Sequence, residues 1–263
     1  MSMLADNLAR VEEAITAACR RAGRLRGEVE LMAVSKTFPA SAIADAAQLG
    51  IALFGENRVQ EFAAKAPELA IQHQRCPILS SSGTDGERVG QELPRPTTIR
   101  VHLIGHLQSN KSARAVELFD GIDSVDSIKL AERLNEAAGK LSKRLPILIE
   151  VKLSPEETKS GIDPESGEAA ALLERLPDLA HLQLGGLMAI APWGVAEEIT
   201  RACFRALREL RDRWAAAHSS LSFDVLSMGM SGDFPIAIEE GATRIRVGTA
   251  LFGKRTPQRA ESD

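Results

Sequence analysis

Residues 223–253 read FDVLSMGMSGDFPIAIEEGATRIRVGTALFG, and this stretch decides the fold. A short β-rich run, Phe223 to Leu226, gives way to a loop of small residues and then to DFPIAIEE, whose early proline suits a helix N-terminus. A second β-rich run, Arg244 to Val247, follows and ends in another glycine turn. Strand, helix and strand in such quick succession imply parallel strands with the helix crossing one face of the sheet.

The alternation extends back through the whole sequence. Further β-rich runs at Glu28 to Val34, Ile51 to Phe54, Ile99 to Ile104, Gly121 to Val125, Pro146 to Val151 and Leu182 to Ala189 bring the total to eight. Helices are expected between them: one opened by Pro39 and closed by Gly50, one opening at Asp126, one running from Asp163-Pro164 to Pro177. Ile199, Cys203, Ala206, Leu210 and Trp214 make the apolar stripe of another, and Leu4, Leu8, Val11, Ile15 and Ala18 that of an extra N-terminal helix ending near Gly23. Eight βα units are best satisfied by closure into a (β/α)8 TIM-type barrel, with an open doubly wound sheet as the alternative. The expected organisation is one barrel domain over residues 1–253, interrupted by a long mobile Ser/Gly/Pro-rich loop at 77–98 and followed by a polar tail at 254–263.

Composition narrows the function. Of 263 residues 44% are hydrophobic, enough for one large core, and the 36 acidic residues against 32 basic ones leave no electrostatic footprint for nucleic acid or an anionic membrane. Cys19, Cys76 and Cys203 lie far apart with no C-x-x-C pair, so neither a disulfide framework nor a thiolate metal site is expected. No signal peptide and no membrane-spanning apolar run is evident, and a cytoplasmic protein acting on small molecules is the expectation.

In such barrels the chemistry sits at the carboxyl ends of the strands, and phosphate commonly binds after the last two. The first strand ends LMAVSK, placing Lys36 at the mouth, where partial desolvation lowers a lysine pKa and frees the amine to attack an aldehyde. After the seventh strand SMGMSGD offers backbone N–H groups and the Ser231 hydroxyl, and after the eighth RVGTALFG offers Gly248 and Thr249. Strands one and eight are neighbours in a closed barrel, so amine and phosphate cup would share one mouth. That pairing suits a phosphorylated aldehyde. Glu56 and Asn57, just past the second strand, either face such a ligand or cap a helix, and Lys159 in ETKSG either meets it or is solvated. His102 and His106 have no accompanying carboxylate or cysteine at ligand spacing, so no metal is expected.

The blocks AVSKTFP, FGENRVQE, HLIGHLQSNK, IDSVDS, ETKSGID, GGLMAIAP, LSMGMSGDF and RVGTALFG, in this order from about Val11 to Gly253, resemble the pyridoxal phosphate homeostasis protein family, itself similar to the N-terminal barrel of alanine racemase. The resemblance implies a fold-type III barrel with pyridoxal 5'-phosphate held as an internal aldimine on Lys36, Arg246 facing the pyridine nitrogen, and Ser231, Gly248 and Thr249 at the phosphate. It also places Asn57 near the cofactor, and Lys159 where the racemase carries an arginine. The sequence departs from the family in the length of the 77–98 loop and at Arg100-Val101, where an aromatic residue commonly precedes the histidine.

The resemblance leaves a choice between enzyme and carrier. A racemase of this design takes its second proton-transfer group from a tyrosine of a separate C-terminal β domain, and this sequence shows no such domain and no tyrosine. The expectation is therefore a carrier or buffer of the cofactor, serving vitamin B6 homeostasis and PLP-dependent apo-enzymes, without turnover of its own and monomeric. The alternatives are a PLP-dependent amino-acid racemase or decarboxylase, and a colourless lysine aldolase acting on a phosphorylated sugar.

Overall fold

The computed structural model describes residues 2–75, 99–153 and 160–253. The loop expected over 77–98, Lys159 and the tail expected over 254–263 lie outside the described residues. Eight strands, β1 (Glu30–Val34), β2 (Leu53–Glu56), β3 (Arg100–Leu103), β4 (Gly121–Val125), β5 (Leu145–Glu150), β6 (Leu182–Met188), β7 (Val225–Ser227) and β8 (Arg244–Val247), form a closed parallel barrel in chain order. β8 returns to β1, with Met32 opposite Arg246 and Ala33 opposite Val247. Closure disposes of the open-sheet alternative. Around the barrel lie α1 (Met3–Arg21), α2 (Ala40–Gln48), α3 (Val59–Arg75), α4 (Ser112–Leu118), α5 (Ile128–Lys140), α6 (Gly167–Arg175), α7 (Glu197–Ala217), α8 (Phe234–Glu239) and α9 (Thr249–Phe252).

Alternation along each strand divides the apolar residues into two layers. Met32, Val34, Leu53, Ile104, Leu148 and Met188 form an inner cluster that fills the barrel, whereas Ala33, Phe54, Leu103 and Ile122 belong to the larger core between strands and helices. The inner packing is close: a Cβ on Gly55 would lie 2.8 Å from the Met32 sulfur and 2.9 Å from Ile104. The lumen is a packed core, so a ligand has room only at its ends.

Several elements begin or face differently from the sequence reading, each for a local reason. Residues Arg26–Glu28 form a 3-10 turn, so β1 starts at Glu30. The caps of α5 and α6 are Ser127 and Ser166, just past the aspartates, because each hydroxyl accepts an N–H from the first turn, at 3.3 Å from Leu130 and 3.2 Å from Ala169. The buried face of α7 is Thr200, Phe204, Leu207 and Leu210, while Ile199 and Ala206 are exposed. Two apolar ladders one residue apart fit this helix, and the one carrying Phe204 and Leu207 buries more area.

The amino ends of the strands carry a buried charge chain. His102 Nδ1 lies 2.8 Å from Asp123 Oδ1, Arg244 donates to Asp123 Oδ2 at 3.1 Å, and Arg244 continues to Glu30 at 2.9 Å. Burial alone would push the Asp123 carboxyl up, but His102 and then Arg244 outweigh it and hold it below the usual carboxylate range. A depressed carboxyl pKa contributes stability that is present above its unfolded value, about pH 4, and is lost as pH falls through the folded value. Asp123→Asn is expected to cost about 3–5 kcal/mol in urea unfolding at pH 7, with a smaller penalty below about pH 4. A penalty that stays constant from neutral to acid pH would show that the charge of Asp123 contributes nothing.

Candidate functional site

Lys36 is the second residue past β1, and its backbone is held from three sides. Ser35 donates its N–H to Gly55 O at 3.0 Å and its hydroxyl to Glu56 Oε1 at 2.8 Å. Lys65, on α3, reaches Ser35 O at 3.1 Å, Glu56 Oε1 at 2.8 Å and Glu61 Oε1 at 2.8 Å, while Thr37 N–H donates to that same Glu61 oxygen. Thr37 sits at φ 68, a left-handed conformation that is costly for a β-branched residue and persists here because its own N–H is held by Glu61 and the next residue, Phe38, donates its N–H to Ser35 O at 3.0 Å. The lysine is thereby fixed at its Cα while its side chain stays half-buried at the rim.

Glu56 corrects one expectation. It is the last residue of β2 and is fully buried in this clamp, not past the strand facing a ligand. Burial pushes its carboxyl up, with Lys65 and Ser35 opposing, and its Oε2 has no partner among the described residues. The Glu61 and Lys65 partners escaped the sequence reading, although their i, i+4 spacing on one helix was a usable signal.

Across the mouth two turns interlock. Gly229 adopts φ 90 where an added Cβ would meet Ala237 at 2.6 Å, and its carbonyl accepts the Arg246 N–H at 3.0 Å. Asp233 accepts the Met230 N–H through Oδ1, which rounds the loop off ahead of α8. Its carboxyl is pushed up by burial, with the Met230 N–H opposing. Ser231 Oγ accepts the N–H groups of Gly248 at 3.3 Å and Ala250 at 3.2 Å. Two backbone donors thus converge on one oxygen position, the arrangement an anion oxygen requires. Gly248 passes Val34 so closely that a Cβ there would lie 3.3 Å from its carbonyl oxygen.

Arg246 forms the floor. Its guanidinium is buried and donates to Ser227 O at 2.7 Å, Ser227 Oγ at 2.8 Å and Ala189 O at 2.8 Å, which fixes its plane. Burial lowers its pKa, with Asp123 and Glu150 opposing. Glu150, at the end of β5, accepts from Ser160 at 2.8 Å, its other oxygen has no partner among the described residues, and burial pushes this carboxyl up as well.

These parts surround one cleft of about 570 Å³ at the carboxyl ends of the strands, and Lys36, Asn57, Ser231, Arg246, Gly248 and Thr249 all line it. Gly105 makes room for Asn57: a Cβ there would lie 2.3 Å from the Asn57 carbonyl oxygen. His102 belongs to the charge chain at the other end and His106 is exposed, 3.3 Å from Asp126. Sequence reasoning missed Trp193, Glu197 and Asp233, which line the cleft with the six. The arrangement offers an amine at one side, converging main-chain donors at the other and a donor-only cation beneath, as a planar molecule with an electrophilic carbon and an anionic end would need.

The profile of the alanine racemase N-terminal domain matches residues 7–256. The pyridoxal phosphate homeostasis protein of Haemophilus influenzae is 40% identical over 250 residues, covering 95% of this chain and 94% of the relative. PipY of Synechococcus elongatus, solved with PLP bound, is 40% identical with a TM-score of 0.74, covering 95% of this chain and all of its own. Alanine racemase of Clostridium difficile shares the fold at 15% identity, TM-score 0.64, over 97% of this chain and 58% of its own.

The clamp under Lys36 is directly testable. Lys65→Met is expected to cost about 3 kcal/mol of unfolding free energy, because it strands the buried Glu56 charge. Glu56 binds its proton more tightly folded than unfolded, so stability gained on protonation appears as pH falls through the raised pKa. The deficit measured by urea unfolding should therefore be smaller at pH 5 than at pH 8. An equal deficit at both would contradict the assignment.

Proposed function

Because this chain belongs to the pyridoxal phosphate homeostasis protein family, we propose that it binds pyridoxal 5'-phosphate in the cleft through Lys36 and holds it for delivery, without turnover of its own. The observation that carries this reading is the meeting in one cleft of the Lys36 amine, the buried Arg246 and the N–H groups of Gly248 and Ala250. The group fits these residues. Its phosphate matches the converging main-chain donors together with the Ser231 and Thr249 hydroxyls, and Asn57 lies on the same wall. When bound, pyridoxal 5'-phosphate supplies an aldehyde for a lysine amine and an electron-poor ring.

What this chain's residues do argues for storage over catalysis. Arg246 can donate but cannot accept a proton, so a ring nitrogen set against it stays unprotonated and the ring remains a weak electron sink. The sequence contains no tyrosine to act as a second proton-transfer group. Glu56, one of the buried acids at the mouth, is engaged through Oε1 by Ser35 and Lys65. The remaining assignments of this proposal are a cytoplasmic monomer with PLP-dependent apo-enzymes as receivers. No helix among the described residues is long and apolar enough to cross a membrane.

Lys36→Ala is expected to abolish the visible absorbance that appears when the protein is loaded with cofactor, while leaving the thermal unfolding of the cofactor-free protein unchanged within about 2 °C. Borohydride reduction followed by peptide mass spectrometry should place the pyridoxyl group on the Lys36 peptide, and an adduct confined to another lysine would contradict the proposal. The Ser231→Ala/Thr249→Ala pair should weaken cofactor retention by about 1.5–3 kcal/mol, less than two full charge-assisted bonds because Gly248 and Ala250 N–H remain to grip the phosphate. Retention equal to wild type by equilibrium dialysis would show the cup to be elsewhere. Tritium exchange at the α-carbon of an amino acid would instead favour the racemase alternative.

A further inference from the structure

The connection from β6 to α7, residues 189–196, reads AIAPWGVA and borders the cleft. Three of its apolar side chains are turned to water. Trp193 is 91% exposed although it is a wall of the cleft, and Ile190 and Val195 beside it are 39% and 38% exposed. Tryptophan carries the largest apolar surface of any side chain and is rarely left so open on a folded protein without a partner.

The two ends of this connection are tied to the body of the barrel and its tip projects from it. Ala189 O is held by Arg246 Nη2 at 2.8 Å, and Ala191 is buried at 3%. On the far side α7 begins at Glu197, and Thr200 is packed inward. Between them stand Pro192, Trp193 and Gly194, the glycine at φ 74 with open space around it. The root of the turn is thus bonded to the floor of the cleft, and the tip carries a large planar side chain, almost wholly exposed, beside a glycine in the left-handed region.

We propose that Trp193 is the cover of this cleft: once the cofactor is held between Lys36 and the Gly248 turn, the indole turns from solvent over it and sets how long it is held. The inference rests on the functional reading above. It names a ligand-contacting, retention-determining residue that the six sequence-derived positions do not include. Aromatic faces stack favourably, and an apolar cover excludes the water and free amines that would otherwise draw the cofactor off Lys36. The tip then finds its apolar partner only in the loaded state.

The chain has two tryptophans, and Trp214 packs edge-on against Phe223 at 6.4 Å, so Trp214→Phe leaves Trp193 as the only reporter. In that variant the acrylamide quenching constant of Trp193 should fall about threefold when pyridoxal 5'-phosphate is added to saturation, read by fluorescence lifetime to separate shielding from quenching by the cofactor itself. Separately, Trp193→Ala in the otherwise unchanged chain should still form the visible chromophore yet release it to an excess of competing amine about tenfold faster. A full chromophore with Trp193 as accessible as before, or with release unchanged in Trp193→Ala, overturns the cover. Failure of the unchanged chain to form any chromophore overturns the functional reading, and the cover with it.

Discussion

The pairing of β1 with β8 is the constraint on which the rest of the molecule depends. Met32 opposite Arg246 and Ala33 opposite Val247 bring the first and last strands of the described chain side by side, so that Lys36 and Gly248 emerge at one rim. A contact between strands so distant in sequence carries a loop-closure cost that grows slowly with length and is recovered only when the whole barrel forms. The Arg244 to Glu30 bridge at 2.9 Å ties the same two strands at their amino ends. The site is therefore a property of closure and not of any single βα unit.

The two ends of the barrel divide the work. At the amino ends charges are saturated: His102, Asp123, Arg244 and Glu30 satisfy one another, which rigidifies that end and leaves little for a ligand. At the carboxyl ends the polar groups are held in place but kept in reserve. Ser35, Glu56, Lys65 and Glu61 fix the backbone around Lys36, while the donors of Gly248 and Ala250 meet only the long bonds to Ser231. Mutually satisfied charges thus occupy one end of the barrel, and preorganised donors the other.

The strand and helix alternation was legible because each strand is a short β-rich run bounded by glycine or a polar turn, and all eight runs correspond to observed strands. Of the six proposed positions, Lys36, Asn57, Ser231, Gly248 and Thr249 could be placed for a related reason, since a residue past the carboxyl end of a barrel strand lies at the mouth, whereas Arg246 lies within β8 and was indicated only by the family resemblance. All six line one cleft. Less accessible was everything that depends on which way a side chain turns. Glu56 and Asn57 are adjacent in sequence, yet one is sealed in the clamp and the other faces the cleft, because β2 runs two residues further than its apolar run suggests. The buried face of α7 was misplaced by about one residue for the same reason, since periodicity fixes the width of a stripe better than its phase. The Ser35 to Glu61 network joins residues on three elements and has no sequence signature beyond one i, i+4 pair.

Barrel closure sets the Lys36 amine across one cleft from the Gly248 turn, and in the proposed function one phosphorylated aldehyde spans both. Diffraction from crystals grown with pyridoxal 5'-phosphate tests it most directly. Continuous density from Lys36 Nζ to the ring is expected, with the phosphate on the N–H groups of Gly248 and Ala250. Density joined to a different side chain, or a phosphate lying away from that turn, would contradict it.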